Sequence, residues 1–86
     1  MEAPYEKEKI IELISRACLS QAVIAIIDLT KHRNTNLFHN AIIVSTELHM
    51  LQDAVLEGRV SIEFETQKKV NLAHKMLQIL DRLKII

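Results

Sequence analysis

Apolar residues in the second half of the chain recur at the spacing of helical faces. Between residues 34 and 57 they follow alternating steps of four and three, at Leu37, Ala41, Val44, Leu48, Leu51 and Val55. This stripe is widened near its start by Phe38, Ile42 and Ile43. After residue 61 two further rows occur, one of Val70, Ala73, Leu77 and Leu80 and one of Leu72, Met76, Ile79 and Leu83. The pattern predicts two long helices, of which the second packs against two neighbours.

The connection between these helices has the sequence of a turn. Gly58 is the only glycine in the chain, and glycine adopts the positive φ of a helix C-terminus without a steric penalty. Ser61 follows as the N-cap of the second long helix, and Asn34 or Thr35 caps the first. We therefore expect an antiparallel helical hairpin that turns at Gly58.

The first third of the chain predicts two shorter helices. The first covers about residues 5–19, where one helical face carries Ile10, Ile11, Ile14, Ala17 and Cys18. Ser20 is the predicted N-cap of the second helix, which covers residues 21–33. Because residues 22–27 are apolar around the whole helical circumference, we expect this segment to be buried on all sides. Its β-branched content would also suit a buried strand.

Composition favours a helical fold with an aliphatic core. The chain has one proline, one glycine, three aromatic residues and 49% hydrophobic residues, so few positions can break helices. The predicted fold is all-α, a four-helix bundle in which two short N-terminal helices pack on a long antiparallel helical hairpin. It forms a single domain over residues 1–86. Ile85 and Ile86 are apolar, so they either dock onto the bundle or mark a domain cut from a longer polypeptide.

Charge and cysteine content narrow the classes of partner. Eleven basic residues balance eleven acidic ones, whereas proteins that bind nucleic acid or anionic lipid normally carry a basic excess. Cys18 is the only cysteine, which excludes an internal disulfide and a cysteine-based zinc site and fits a reducing compartment. The N-terminus lacks the pattern of a signal peptide, and no apolar run is long enough to span a bilayer. We expect a cytoplasmic protein with no nucleic-acid or membrane partner.

Candidate catalytic and metal-binding groups are sparse. His49 and Asp53 lie one helical turn apart, but two ligands do not make a metal site. Glu63 and Glu65 fall in the first turn of a helix, where the dipole favours negative charge. The Lys-His-Arg segment at 31–33 is interpreted as a solvated helix end, with an anion site as the alternative. We expect no enzymatic activity, cofactor, metal or small-molecule substrate.

The two long helices carry opposite charge. Between residues 34 and 57 there is no lysine or arginine, and the acidic residues of this segment are Glu47, Asp53 and Glu57. The basic residues of the second include Lys68, Lys69, Lys75 and Arg82. An acidic helix beside a basic one can stack on a copy of itself or on a related domain, so these seven residues form the predicted interaction surface. The alternative is that the charges pair within the chain or are solvated.

Three segments of the predicted hairpin carry motifs of a known domain family. They read Asn-Ala-Ile-Ile-Val-Ser-Thr-Glu-Leu over 40–48, Glu-Gly-Arg-Val-Ser-Ile-Glu over 57–63 and Leu-Gln-Ile-Leu-Asp-Arg-Leu over 77–83. In these motifs, and in an N-terminal helical pair over residues 10–29, the chain resembles the eleventh type of effector-associated domain of bacterial conflict systems. That family often has a basic residue where this chain has Glu47. It also often has a glycine between its first two helices, where this chain has Leu19 and Ser20.

The resemblance implies a non-catalytic adaptor. Such a domain couples an NTPase sensor to an effector in bacterial immune signalling through like-with-like contacts, so the expected partner is a protein with a related or identical helical domain. A rival hypothesis is a structural homodimerisation module with a symmetric apolar interface made by Leu72, Met76, Ile79 and Leu83. The two hypotheses differ in salt dependence, because salt screens charge contacts and not apolar ones.

Overall fold

The fold consists of α-helices and their connections. The computed structural model describes residues 2–83, with side chains from residue 7 onward. Its helices are α1 (Glu2–Ser15), α2 (Leu19–Thr30), α3 (Thr35–Leu56) and α4 (Ile62–Arg82), and no strand occurs among the described residues. The all-α prediction is confirmed, and the strand alternative for residues 22–27 is wrong. The expectations for Ile85 and Ile86 lie outside the described residues.

Side-chain caps begin both long helices. At the start of α3 the Asn34 Oδ1 accepts a hydrogen bond from the Leu37 backbone N–H at 3.0 Å. At the start of α4 the Ser61 Oγ accepts one from the Phe64 backbone N–H at 3.1 Å. Each bond satisfies one of the donors that a first helical turn leaves without an intrahelical partner. The Ser61 cap is confirmed, and Asn34 rather than Thr35 caps α3.

Gly58 ends α3 in the left-handed conformation that the sequence predicts. Its φ is +69°. The Gly58 N–H donates to the Val55 carbonyl at 3.0 Å, and the Arg59 N–H donates to the Ala54 carbonyl at 2.9 Å. This pair of bonds is the Schellman arrangement, which satisfies two terminal carbonyls while the chain reverses.

The same arrangement ends α1, but without a glycine. Ala17 has a φ of +63°. Its N–H donates to the Ile14 carbonyl at 2.9 Å, and the Cys18 N–H donates to the Leu13 carbonyl at 2.9 Å. Because this turn closes early, α1 ends at Ser15, before the predicted boundary at residue 19. An L-residue with a Cβ pays a steric penalty in this conformation that glycine avoids.

Ser20 is not the N-cap of α2, which corrects the prediction. Since the chain reverses at Ala17, α2 already begins at Leu19, and Cys18 occupies the N-cap position without a side-chain cap. Ser20 instead lies in the first turn of α2. Its Oγ accepts a hydrogen bond from the Gln52 Nε2 of α3 at 2.9 Å.

One side of α2 fills the centre of the core. The helix contacts α1, α3 and α4, and the largest fully buried side chains are Val23, Ile26, Thr30, Leu72, Met76 and Leu80. The Thr30 hydroxyl is buried but satisfied, since it donates to the Ile26 carbonyl at 2.8 Å. The expectation that residues 22–27 are buried on all sides is wrong. Ile24 is exposed, because the buried residues of α2 lie on the opposite side of the helix.

The α3 stripe is confirmed where it faces the core. Its buried positions are Leu37, Ala41, Val44, Leu48 and Leu51, with Val55 partly buried. The predicted widening is wrong at Ile42 and Ile43, which are both exposed.

The two rows of α4 have different environments. The second row is buried within a single chain, at Leu72, Met76, Ile79 and Leu83. These residues belong to the core, so the proposal that they form a dimer interface is wrong. The reason is that α4 already contacts α1, α2 and α3 within the single chain. In the first row Leu80 is buried, while Val70 and Leu77 are exposed.

We predict that replacing Ala17 by glycine stabilises the domain by about 0.5–1 kcal/mol. Glycine removes the steric penalty of the left-handed conformation, and its greater freedom in the unfolded chain offsets part of the gain. Equilibrium unfolding in urea measures the effect as a higher midpoint at an unchanged slope.

The matched control is Gly58→Ala. No atom lies within 4 Å of the Cβ that this alanine would add, so only the backbone conformation opposes it, and a loss of about 1 kcal/mol is expected. A lower midpoint for Ala17→Gly would contradict the strain assigned to Ala17.

Candidate functional site

One broad face of the hairpin is formed by α3, α4 and the turn between them. Two neighbouring grooves run along it, of about 240 Å³ and about 540 Å³, and Glu47 lines both. Neither groove is lined by a residue of α1 or α2. We call this surface the α3–α4 face and define it by Asn40, Ile43, Glu47, Met50, Asp53, Phe64, Lys68, Lys75, Gln78 and Arg82.

An ion pair crosses the middle of the α3–α4 face. The Lys75 Nζ lies 3.0 Å from Oε1 and 3.2 Å from Oε2 of Glu47. Both side chains are partly exposed, and pairs of this kind contribute about 0.2–1 kcal/mol to stability. The charges of Glu47 and Lys75 are therefore paired within the chain, as the alternative interpretation expected for part of the predicted surface.

Three other charges of the predicted surface stay unmatched on this face. Asp53 lies on α3, while Lys68 and Arg82 lie on α4. Within the described residues, none of these side chains forms an ion pair or hydrogen bond. The acidic group and the basic groups stand on opposite sides of the groove between the helices. This is the charge separation that the sequence predicted.

The remaining two predicted residues do not belong to the α3–α4 face. Glu57 lies in the turn after α3 and forms an ion pair with Arg59. Lys69 forms an ion pair with Glu65, one helical turn before it, at 2.8 Å, and lines a different groove together with Leu56. The structure thus brings five of the seven predicted residues together and separates these two.

Apolar side chains on the α3–α4 face were not predicted to be there. Met50 is 65% exposed, Ile43 57% and Phe64 50%, and methionine and aromatic residues are enriched at protein interfaces. The sequence pattern predicts no function for Met50 or Phe64. The sequence does contain an indication that Met50 is a surface residue. Met50 lies outside the four-and-three spacing of the α3 stripe, and it follows Glu47 by three residues, which places both on the same side of the helix.

Within the described residues, the other candidate groups do not assemble into a site. No group of three or more metal-ligating side chains occurs among the described residues. His49 is held by the backbone, since its Nδ1 donates to the Ser45 carbonyl at 2.9 Å. Lys31, His32 and Arg33 are exposed at the end of α2. Within the part of the chain that the structure describes, no helix is long and apolar enough to cross a membrane.

Comparison with known proteins finds no relative of this chain. No family model matches the sequence, and no curated protein and no solved structure matches it.

We predict that alanine substitution of two methionines, one in the core and one on the surface, changes the free energy of unfolding by very different amounts. Met76 is fully buried, so Met76→Ala should cost about 2–5 kcal/mol through lost burial and a cavity. Met50 is largely exposed, so Met50→Ala should stay within about 0.5 kcal/mol of the parent chain. Urea unfolding measures both. A large loss for Met50→Ala would mean that Met50 supports the fold and is not free for a partner.

Proposed function

We propose that this domain is a non-catalytic protein–protein interaction adaptor. It couples an NTPase sensor to an effector in bacterial conflict or immune signalling, through contacts with a related or identical helical domain. The resemblance of residues 40–48, 57–63 and 77–83 to effector-associated domains supports this setting. The single free Cys18 supports a place in the cytoplasm, where thiols stay reduced.

The observation that carries the proposal is the combination of groups on the α3–α4 face. Asp53 and Lys68 have opposite charge and no partner among the described residues, and they line one groove together with Met50 and Phe64. Complementary charges speed encounter and select the partner. The apolar side chains supply contact area that is dehydrated on binding.

The proposed packing of the fold explains why this face is the one used. In that arrangement α1 and α2 pack as two short helices on one side of the long hairpin formed by α3 and α4. The contacts of α2 with α3 and α4, and of α1 with α2 and α4, support it. The inner side of the hairpin is then occupied, and the outer side stays available to a partner.

Homotypic binding predicts self-association that is weak and sensitive to salt. The mass in solution should rise from that of one 9.9 kDa chain as protein concentration rises at low ionic strength. It should fall back at about 1 M salt, where the screening length shrinks to about 3 Å. Size exclusion with light scattering measures both effects.

Two outcomes would contradict this proposal. A mass that stays at one chain at every concentration and low salt would remove homotypic association. A dimer that is equally stable at low and high salt would indicate an interface without charge contacts. That result would contradict the assignment of the contact to the α3–α4 face.

A further inference from the structure

We infer that two copies of this chain pair through their α3–α4 faces about a two-fold axis parallel to the hairpin, so that α3 of each copy lies over α4 of the other. The inference rests on the proposed function and specifies its contact. The two-fold arrangement uses the same patch on both copies and therefore stops at a dimer.

Charge decides the direction of the two-fold axis. On the α3–α4 face the unmatched acidic group stands on α3, and the unmatched basic groups stand on α4. Rotation about an axis parallel to the helices exchanges left and right and places α3 over α4 of the second copy. Rotation about an in-plane axis across the helices would place α3 over α3 and α4 over α4, with like charges opposed.

The ion pair between Glu47 and Lys75 fixes the heights of residues along the face. It marks one level shared by α3 and α4. Toward the turn, Asp53 is six residues beyond Glu47 and Lys68 is seven residues before Lys75. At a rise of 1.5 Å per residue these steps are about 9 Å and about 10.5 Å. Asp53 and Lys68 therefore stand at nearly the same height.

The rotation preserves these heights and so creates reciprocal contacts. Asp53 of the first copy faces Lys68 of the second, and Lys68 of the first faces Asp53 of the second. Both charges lack a partner within the described part of the single chain. A single two-fold rotation thus gives both Asp53 and Lys68 of each copy an oppositely charged partner.

The rest of the face is compatible with the same register. Arg82 is seven residues beyond Lys75, and Asn40 is seven residues before Glu47, so the guanidinium of one copy meets the side-chain amide oxygen of the other. Met50 lies between the levels of Lys68 and Lys75. It can cover the aliphatic stems of these lysines in the second copy.

The test is a charge swap between two variants, Asp53→Lys and Lys68→Glu. Each variant alone opposes like charges at both reciprocal contacts. Mixed together, they restore opposite charges at both. The lysine introduced at position 53 of one chain meets the glutamate introduced at position 68 of the other, and the native Asp53 meets the native Lys68. Sedimentation equilibrium at low salt measures the association constants, and circular dichroism checks that each variant is folded.

We expect each variant alone to self-associate at least about tenfold more weakly than the parent chain, as the loss and reversal of two exposed charge pairs implies. The equimolar mixture should recover an association constant within about threefold of the parent value. The recovered species should have the mass of two chains.

A matched pair controls for net charge. The parent chain has a formal net charge of zero, so replacing one acidic residue by lysine gives +2 and replacing one lysine by glutamate gives −2. Asp28→Lys and Lys31→Glu produce the same two net charges at exposed positions of α2 and at its end. Each of these variants should self-associate with the same association constant as the parent chain, and mixing the two should not raise that constant.

Two results would overturn the inference while leaving homotypic binding intact. One is a parent chain that associates while the mixture of Asp53→Lys and Lys68→Glu does not recover. The other is a recovered species larger than a dimer, which would indicate head-to-tail contacts. A parent chain that never associates at low salt would remove the proposed function together with the inference.

Discussion

Burial of one side of α2 against α3 and α4 is the constraint on which the other features of this domain depend. Ile26 of α2 and Met76 of α4 both belong to the core, each without exposed surface. Apolar burial of this kind is the main driving force for folding a small domain. The buried residues of α2 lie on one side of the helix, and Ile24 on the other side is exposed although it is apolar.

The α3–α4 face lies outside the buried core. Within the described residues, the α3–α4 face has no side chain of α1 or α2 lining its two grooves, so its exposed side chains do not have to fill a core. It combines an internal ion pair at Glu47 with exposed Met50 and Phe64. Such a surface is too polar for an obligate interface and too apolar for a purely solvated face. This composition supports the proposal of a contact that forms and dissociates.

The chain reverses between α1 and α2 at an alanine, Ala17, and not at a glycine. A chain that reverses after a helix needs a left-handed residue, and the hydrogen bonds at Ala17 match those at Gly58 closely. Alanine accepts this conformation because the carbonyls of α1 are satisfied and Cys18 can lead directly into α2. As a result α1 ends and α2 begins earlier than predicted. Ser20 therefore lies inside α2, where its hydroxyl accepts a hydrogen bond from Gln52 of α3.

The sequence by itself determined the features that depend on local chemistry. The period of the α3 stripe, the Ser61 cap and the turn at Gly58 follow from rules that act within a few residues, and so does the separation of charge between α3 and α4. Tertiary structure decided which of those charges are already paired, because Glu47 and Lys75 are distant in sequence and meet only when the hairpin closes. It also decided that the second apolar row of α4 is core. A row that faces a neighbouring helix and a row that faces a second molecule have the same spacing, and only packing distinguishes them.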